Sequence, residues 1–170
     1  MGILSGNPKD EPLHYGEVYD IWSSVFGANG MIGSYQIMKN HTGDDDLKEL
    51  LDEAINLCKK QKEQLEKILK ENGIGLPPSM PEPPEACLED IPVGARLPDP
   101  AVASALSLDL AAGLVLMSQI MAKAIREDVG MMYEQFHTQK TALAAKVLRL
   151  NKDKGWLVPP PLHVNKQGDC

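Results

Sequence analysis

Glu134 and His137 stand three residues apart, a Glu-x-x-His spacing that places a carboxylate and an imidazole on neighbouring turns of one helix face. Bundles that hold two iron or manganese ions use two such pairs and two further carboxylates, because hard cations take several oxygens alongside two imidazoles. This chain offers a single pair. Segment 45–72 contains no histidine, and its nearest analogues are Glu53-x-x-Asn56 and Glu63-x-x-Glu66. By helical-wheel angle His137 falls at the edge of its apolar stripe and Glu134 points further out, which suits a boundary position better than a ligand pair. His14 and Glu17, near the start of the first helix, would share that bundle end and could complete a nonstandard cluster. Iron or manganese at this incomplete half-site is the one cofactor reading; otherwise no cofactor is expected.

Other reactive groups do not assemble into a catalytic set. No Ser/His/Asp or Cys/His arrangement is recognisable. Cys58 falls on an apolar helical stripe, while Cys87 and Cys170 lie in irregular context without an adjacent base. Three widely spaced cysteines match no zinc spacing and no disulfide framework, which fits a reducing compartment. His41 and His163 sit in a turn and a tail, where solvated histidines are common. The eight methionines fit gap-filling core better than a soft-metal box.

Charge and length exclude further classes. A net charge of −7 over 170 residues repels nucleic acid and anionic membrane surfaces, so neither partner is expected. The opening MGILSGNPKDEP lacks the charged-then-apolar layout of a secretory signal, which implies synthesis in the cytoplasm without an N-terminal leader. The longest uncharged run inside the third helix, Leu110 to Ala122, is too short to cross a bilayer, so membrane insertion is not expected. One domain, residues 1–170, can bury an ordinary core without disulfides or metals.

The elements that would position these residues are helices. Val18, Ile21, Trp22, Val25, Phe26 and Ile32 recur at three- and four-residue steps and predict a first helix over about 14–40. Gly27, Gly30 and Gly33 within it call for a close neighbour or a kink. Thr42-Gly43-Asp44-Asp45-Asp46 announces a second helix over 45–72, ended by Asn72-Gly73. Residues 73–99 hold Pro77, Pro78, Pro81, Pro83, Pro84, Pro92 and Pro98 and show no period, which predicts an extended surface crossover. Asp99-Pro100 supplies an N-cap and a first-turn proline for a third helix over 100–126. That helix is apolar almost all round, so it should be buried on more than one side, at the bundle centre or against a second subunit. A break near 127–130 leads into a fourth helix over 129–152, and the Trp156 to Pro161 tail, within 155–170, should pack back as a strap.

Short turns join antiparallel neighbours, whereas the crossover is long enough to traverse a helix of about 25 residues, roughly 38 Å. Helices two and three should therefore run parallel, giving an all-α, ferritin-like four-helix bundle with one long proline-rich crossover. Asp109, the lone charge between Asp99 and Lys123, falls on the central stripe of the third helix and needs a partner. Asn29 lies at nearly the same level and is the expected one, with Gln36 and Lys140 as further inward polar candidates. A buried polar contact fixing register and a small-molecule or ion pocket are both compatible with that placement.

The stretches MGILSGNPKDEPLHYGEVYDIW, EDIPVGARLPDP, QIMAKAIREDVGMMYEQFHTQK and LRLNKDKGWLVPPPLH resemble a family of Bacillus-type ferritin-like proteins, spore coat protein F-like. The resemblance runs over nearly the whole chain and implies a sporulation-linked helical protein with no established activity; the apolar third helix points to a homo-oligomer joined through it, and other spore coat proteins are candidate partners. It carries no catalytic motif. Two readings follow: a non-enzymatic structural or assembly protein of the spore coat, or a metal-binding protein or oxidoreductase built on Glu134 and His137.

Overall fold

The computed structural model describes residues 11–163, and all regular structure among them is helical. Four long helices, α1 (Tyr15–His41), α2 (Asp45–Glu71), α3 (Asp99–Lys123) and α4 (Glu127–Asp153), form the bundle. The opening decapeptide, the last seven residues and with them Cys170 lie outside the described residues.

Two of the helix starts are capped by a side chain that satisfies free N–H groups. His14 caps α1: its Nδ1 accepts from Gly16 N–H at 2.9 Å, while Glu17 Oε2 accepts from His14 N–H at 3.1 Å, a reciprocal capping box. Asp44 caps α2 by accepting from Leu47 N–H at 3.0 Å. Gly73, at φ +70, ends α2 in the left-handed conformation that glycine adopts without a Cβ clash.

Ion pairs and caps show how the helices run. Asp99 accepts from Thr42 Oγ1 at 2.5 Å and from Gly43 N–H at 3.2 Å, which puts the α1–α2 turn beside the start of α3. Lys123, at the end of α3, reaches Asp20 near the start of α1 at 2.8 Å. Lys154, just past α4, reaches Asp44 and Asp46 at 2.7 Å each. The pairs α1–α2 and α3–α4 are thus antiparallel hairpins and α2 runs parallel to α3, as the connection lengths predict. The crossover lies along α1: Asn40 donates to Pro84 O, Lys39 pairs with Glu85, and the place of a Gly33 Cβ is 3.5 Å from the Pro83 ring. Two short 3₁₀ turns, Leu88–Asp90 and Val93–Ala95, interrupt it.

The core divides into two clusters. One gathers Ile32, Tyr35, Leu51, Val102, Leu106, Leu110, Leu143 and Val147 toward the crossover end of α3; the other gathers Ile21, Val25, Leu65, Leu69, Ile120, Tyr133 and Phe136.

Several expectations change. α3 ends at Lys123 and α4 starts at Glu127, so Gly130 lies inside α4 and the break falls on 124–126. Asp99 does not cap its own helix, because its carboxylate is taken by the neighbouring turn, and Pro98 stands at the N-cap. Within the single chain α3 is buried on one side and does not sit at the bundle centre: Leu108 is 70% and Val115 59% exposed. The segment Val93–Lys123 also contains an 18-residue window of mean hydropathy 1.8, only 22% of it buried, so by length and composition this helix is able to cross a bilayer, contrary to the estimate from its uncharged run. Trp156 packs against the core, but Val158 to Leu162 are exposed rather than strapped down. α1 runs unbroken through its glycines; Gly33 meets the crossover, and a Cβ at Gly27 or Gly30 would meet nothing.

Candidate functional site

The two core clusters meet at a polar layer. Lys140 stands on the apolar stripe of α4, four residues after Phe136 and three before Leu143, and is 5% exposed. No described residue accepts a hydrogen bond or ion pair from its ammonium. Every sealed polar side-chain atom among the described residues does have a partner, so Nζ is not sealed in protein but opens on free space. That space is a cavity of about 110 Å³ to which all four helices contribute.

Small residues make the room. A Cβ at Gly113 of α3 would fall 2.9 Å from Lys140 Nζ and 3.0 Å from its Cδ and Cε, so the lysine lies across α3 only because position 113 has no side chain. Opposite, Gly27 and Ala28 of α1 line the cavity, and exposed Gly27 and Leu116 place its mouth between α1 and α3. The walls are mainly apolar: Met31, Leu65, Met117, Ile120 and Phe136. The polar exceptions besides Lys140 are Ser23, Ser24, Tyr133, Cys58 and Gln61. Tyr133 donates to Ser24 Oγ at 2.8 Å, and Gln61 donates to Gln139 at 3.4 Å. Burial raises the Tyr133 phenol, against a smaller opposing effect of the Ser24 hydroxyl, so it stays a protonated donor at neutral pH. Burial likewise raises the Cys58 thiol, with the charge of Lys140 acting the other way. Cys58 is therefore a neutral core residue rather than a reactive thiolate.

The residues singled out by sequence fall elsewhere. Asp109 is met by the hydroxyl of Tyr35, not by Asn29, which donates to Pro78 O of the crossover at 3.2 Å. Equal height along the bundle does not fix rotation about a helix axis, and the crossover claims the Asn29 amide. Gln36 pairs with Asn40 one turn away, on the same helix. Lys140 is inward as expected, and its signal was a lysine where the stripe calls for an apolar residue.

Glu17, only 2% exposed, is occupied by backbone: its Oε1 accepts from Ile125 N–H and Arg126 N–H, each at 2.8 Å, and its Oε2 from His14 N–H. It therefore caps α1 and fastens the start of α4. His14 commits Nδ1 to its own helix, and its Nε2 lies 3.7 Å from Glu17. Glu134 is exposed and accepts from Thr138 at 3.2 Å, while His137 is half-buried. Among the described residues no three His, Cys, Asp or Glu side chains converge as a metal-ligand set. His41 accepts from Leu97 N–H at its Nδ1, 3.1 Å away, and His163 is exposed.

Fold and site together define a four-helix bundle whose core is interrupted by a buried lysine and a small cavity, with no assembled catalytic group among the described residues. The chain belongs to the family described as Protein of unknown function (DUF3231), whose model matches residues 1–168. It is 58% identical over 170 residues to uncharacterized protein YvdQ of Bacillus subtilis (strain 168), covering 100% of both chains. A crystal structure of a candidate spore coat protein (BH2358) from Bacillus halodurans C-125 matches with a TM-score of 0.91 and 53% identity, covering 94% of this chain and 100% of that one. A conserved hypothetical protein, Rv2844, from Mycobacterium tuberculosis matches with a TM-score of 0.63 at 11% identity, over 81% of this chain and 98% of that one, which concerns the fold alone.

Proposed function

We propose that this protein is a non-enzymatic structural component that assembles during sporulation, ferritin-like in topology, and that copies join through α3 within or beneath the spore coat. The observation that carries this reading is the solvent-facing side of α3. Ala101, Ser104, Leu108, Ala111, Val115, Ser118 and Ala122 repeat at alternating steps of three and four residues, and every one is exposed. Five of the seven are apolar and the two serines are small and uncharged. A 3.5-residue repeat of this kind is the seam of a helix pair, and its small residues let two backbones approach closely. An uncharged seam of this length on a chain of net charge −7 marks an interaction surface, because monomers rarely leave one uncovered. The occupant is a second copy. Antiparallel self-pairing sets the two α3 dipoles head to tail and closes a symmetric dimer. The relation to the Bacillus halodurans protein supports the link to sporulation.

The test is a fluorescent fusion expressed in a sporulating Bacillus. The wild-type chain should collect at the forespore surface, and Leu108→Glu/Val115→Glu should stay diffuse at equal abundance. A wild-type fusion that remains diffuse through sporulation would rule the reading out.

A further inference from the structure

We propose that the cavity at Lys140 is a binding site for a short aliphatic monocarboxylate, its carboxylate on the ammonium and its alkyl chain among Met117, Ile120 and Phe136. An ammonium in an apolar interior is costly unless paired, and buried charges are accordingly paired in folded proteins. Lys140 has no such partner among the described residues. The carboxylates around it are engaged elsewhere: Asp109 holds Tyr35, and Asp20 holds Lys123. Facing the cavity stand Ser23 and Ser24 of α1, Cys58 and Gln61 of α2 and, on the lysine's own helix, Tyr133, all uncharged. The counter-charge is therefore missing from the described bundle, and the cavity beside Nζ is where an external anion would supply it.

Size and lining select the chemistry. A 110 Å³ cavity is smaller than the roughly 150 Å³ that accommodates benzene, so it suits about five heavy atoms. One ammonium in mainly apolar walls matches a single negative charge on a short chain; a phosphate would leave most of its oxygens without donors. Gly113 fits the same purpose. A glycine inside a helix is less stable than alanine there, and here it clears the volume that the lysine tip occupies.

The probe is propionate, titrated into the full chain at constant ionic strength set with sodium chloride, and followed by the Lys140 ammonium, Met117 methyl and Tyr133 ring signals in NMR. Saturable shifts at all three, with intermolecular NOEs from the propionate methyl to Met117, are expected. Lys140→Met, which removes the buried charge at nearly constant volume, should fold with a raised Tm and bind at least about tenfold more weakly. Gly113→Ala, which crowds Nζ while leaving the charge, should also weaken binding and serves if Lys140→Met does not fold. The proposal fails if propionate gives no saturable shift, if chloride alone or 1-propanol gives the same response, or if Lys140→Met binds propionate as the wild type does.

Discussion

Asp109 sits midway along α3, the lone charge between Asp99 and Lys123, and the contact that satisfies it comes from Tyr35, a residue 1% exposed on α1. Burial raises the Tyr35 phenol and the neighbouring Asp109 raises it further, so the hydroxyl stays protonated and donates to the carboxylate. A hydrogen bond to a charged group is worth about 1.5–3 kcal/mol, so Tyr35→Phe should destabilise by that amount, while Asp109→Asn, which keeps an acceptor, should cost about 1 kcal/mol. Urea unfolding of the two single variants and the double variant should show coupling above about 0.5 kcal/mol, the usual limit of additivity between independent sites. Asn29→Ala combined with Asp109→Asn should be additive, since Asn29 serves the crossover; coupling there instead of at Tyr35 would refute the pairing. Sequence exposed the need of Asp109 but not its partner. Nothing in the sequence around Tyr35 signals that its hydroxyl reaches across to a neighbouring helix.

At the scale of elements, the start of α4 is held by charge. Arg126, buried at the N-cap, donates from Nε to Asp128 Oδ1 at 3.0 Å and from Nη2 to Oδ2 at 2.6 Å, and its Nη1 reaches Glu11 O at 3.3 Å. The Arg126 hydrogen bond holds the Asp128 carboxyl below its ordinary 3.8, outweighing the opposing effect of burial. With the folded value depressed, the unfolded chain takes up the proton first as pH falls. The stabilisation is thus complete above the ordinary carboxylate range and disappears once pH drops through the folded value. Asp128→Asn should lower stability by about 1–2 kcal/mol at pH 7. The gap from wild type, followed by urea unfolding at stepped pH, should begin to close as pH falls through the ordinary carboxyl value of 3.8 and vanish below the depressed folded value. A gap that stays constant over that range would show that Asp128 acts through something other than its charge. The helices themselves were legible within three residues, because period, caps and prolines are local signals. The α3–α4 break was misplaced because Gly130 looks like a terminator, whereas the tie from Glu17 to residues 125 and 126, which sets the true boundary, joins segments far apart in the chain.

For the whole molecule, the question is what covers α3. Sequence showed a helix too apolar for a single buried stripe, and the structure resolves that excess into an inner face in the core and an outer seam in solvent. Two environments could take the seam. Insertion into a bilayer would require α3 to leave the bundle, uncovering Val102, Leu106 and Leu110 from the core and carrying Asp109 to the bilayer centre, where a charge costs about 2.5–3.5 kcal/mol. Pairing with a second copy needs no such rearrangement and leaves Asp109 with Tyr35. Sedimentation equilibrium should therefore find the wild type dimeric or larger, and Leu108→Glu/Val115→Glu monomeric, because an uncompensated charge buried at an interface costs about 3–5 kcal/mol per site. Both side chains are exposed in the isolated bundle, so the variant monomer should lose no more than about 0.5 kcal/mol per substitution. The wild-type Tm should rise with protein concentration, while that of the variant should not. A monomeric wild type that floats with phosphatidylcholine vesicles would transfer the seam from a partner copy to lipid, and a monomeric wild type indifferent to vesicles would remove self-assembly through α3 altogether.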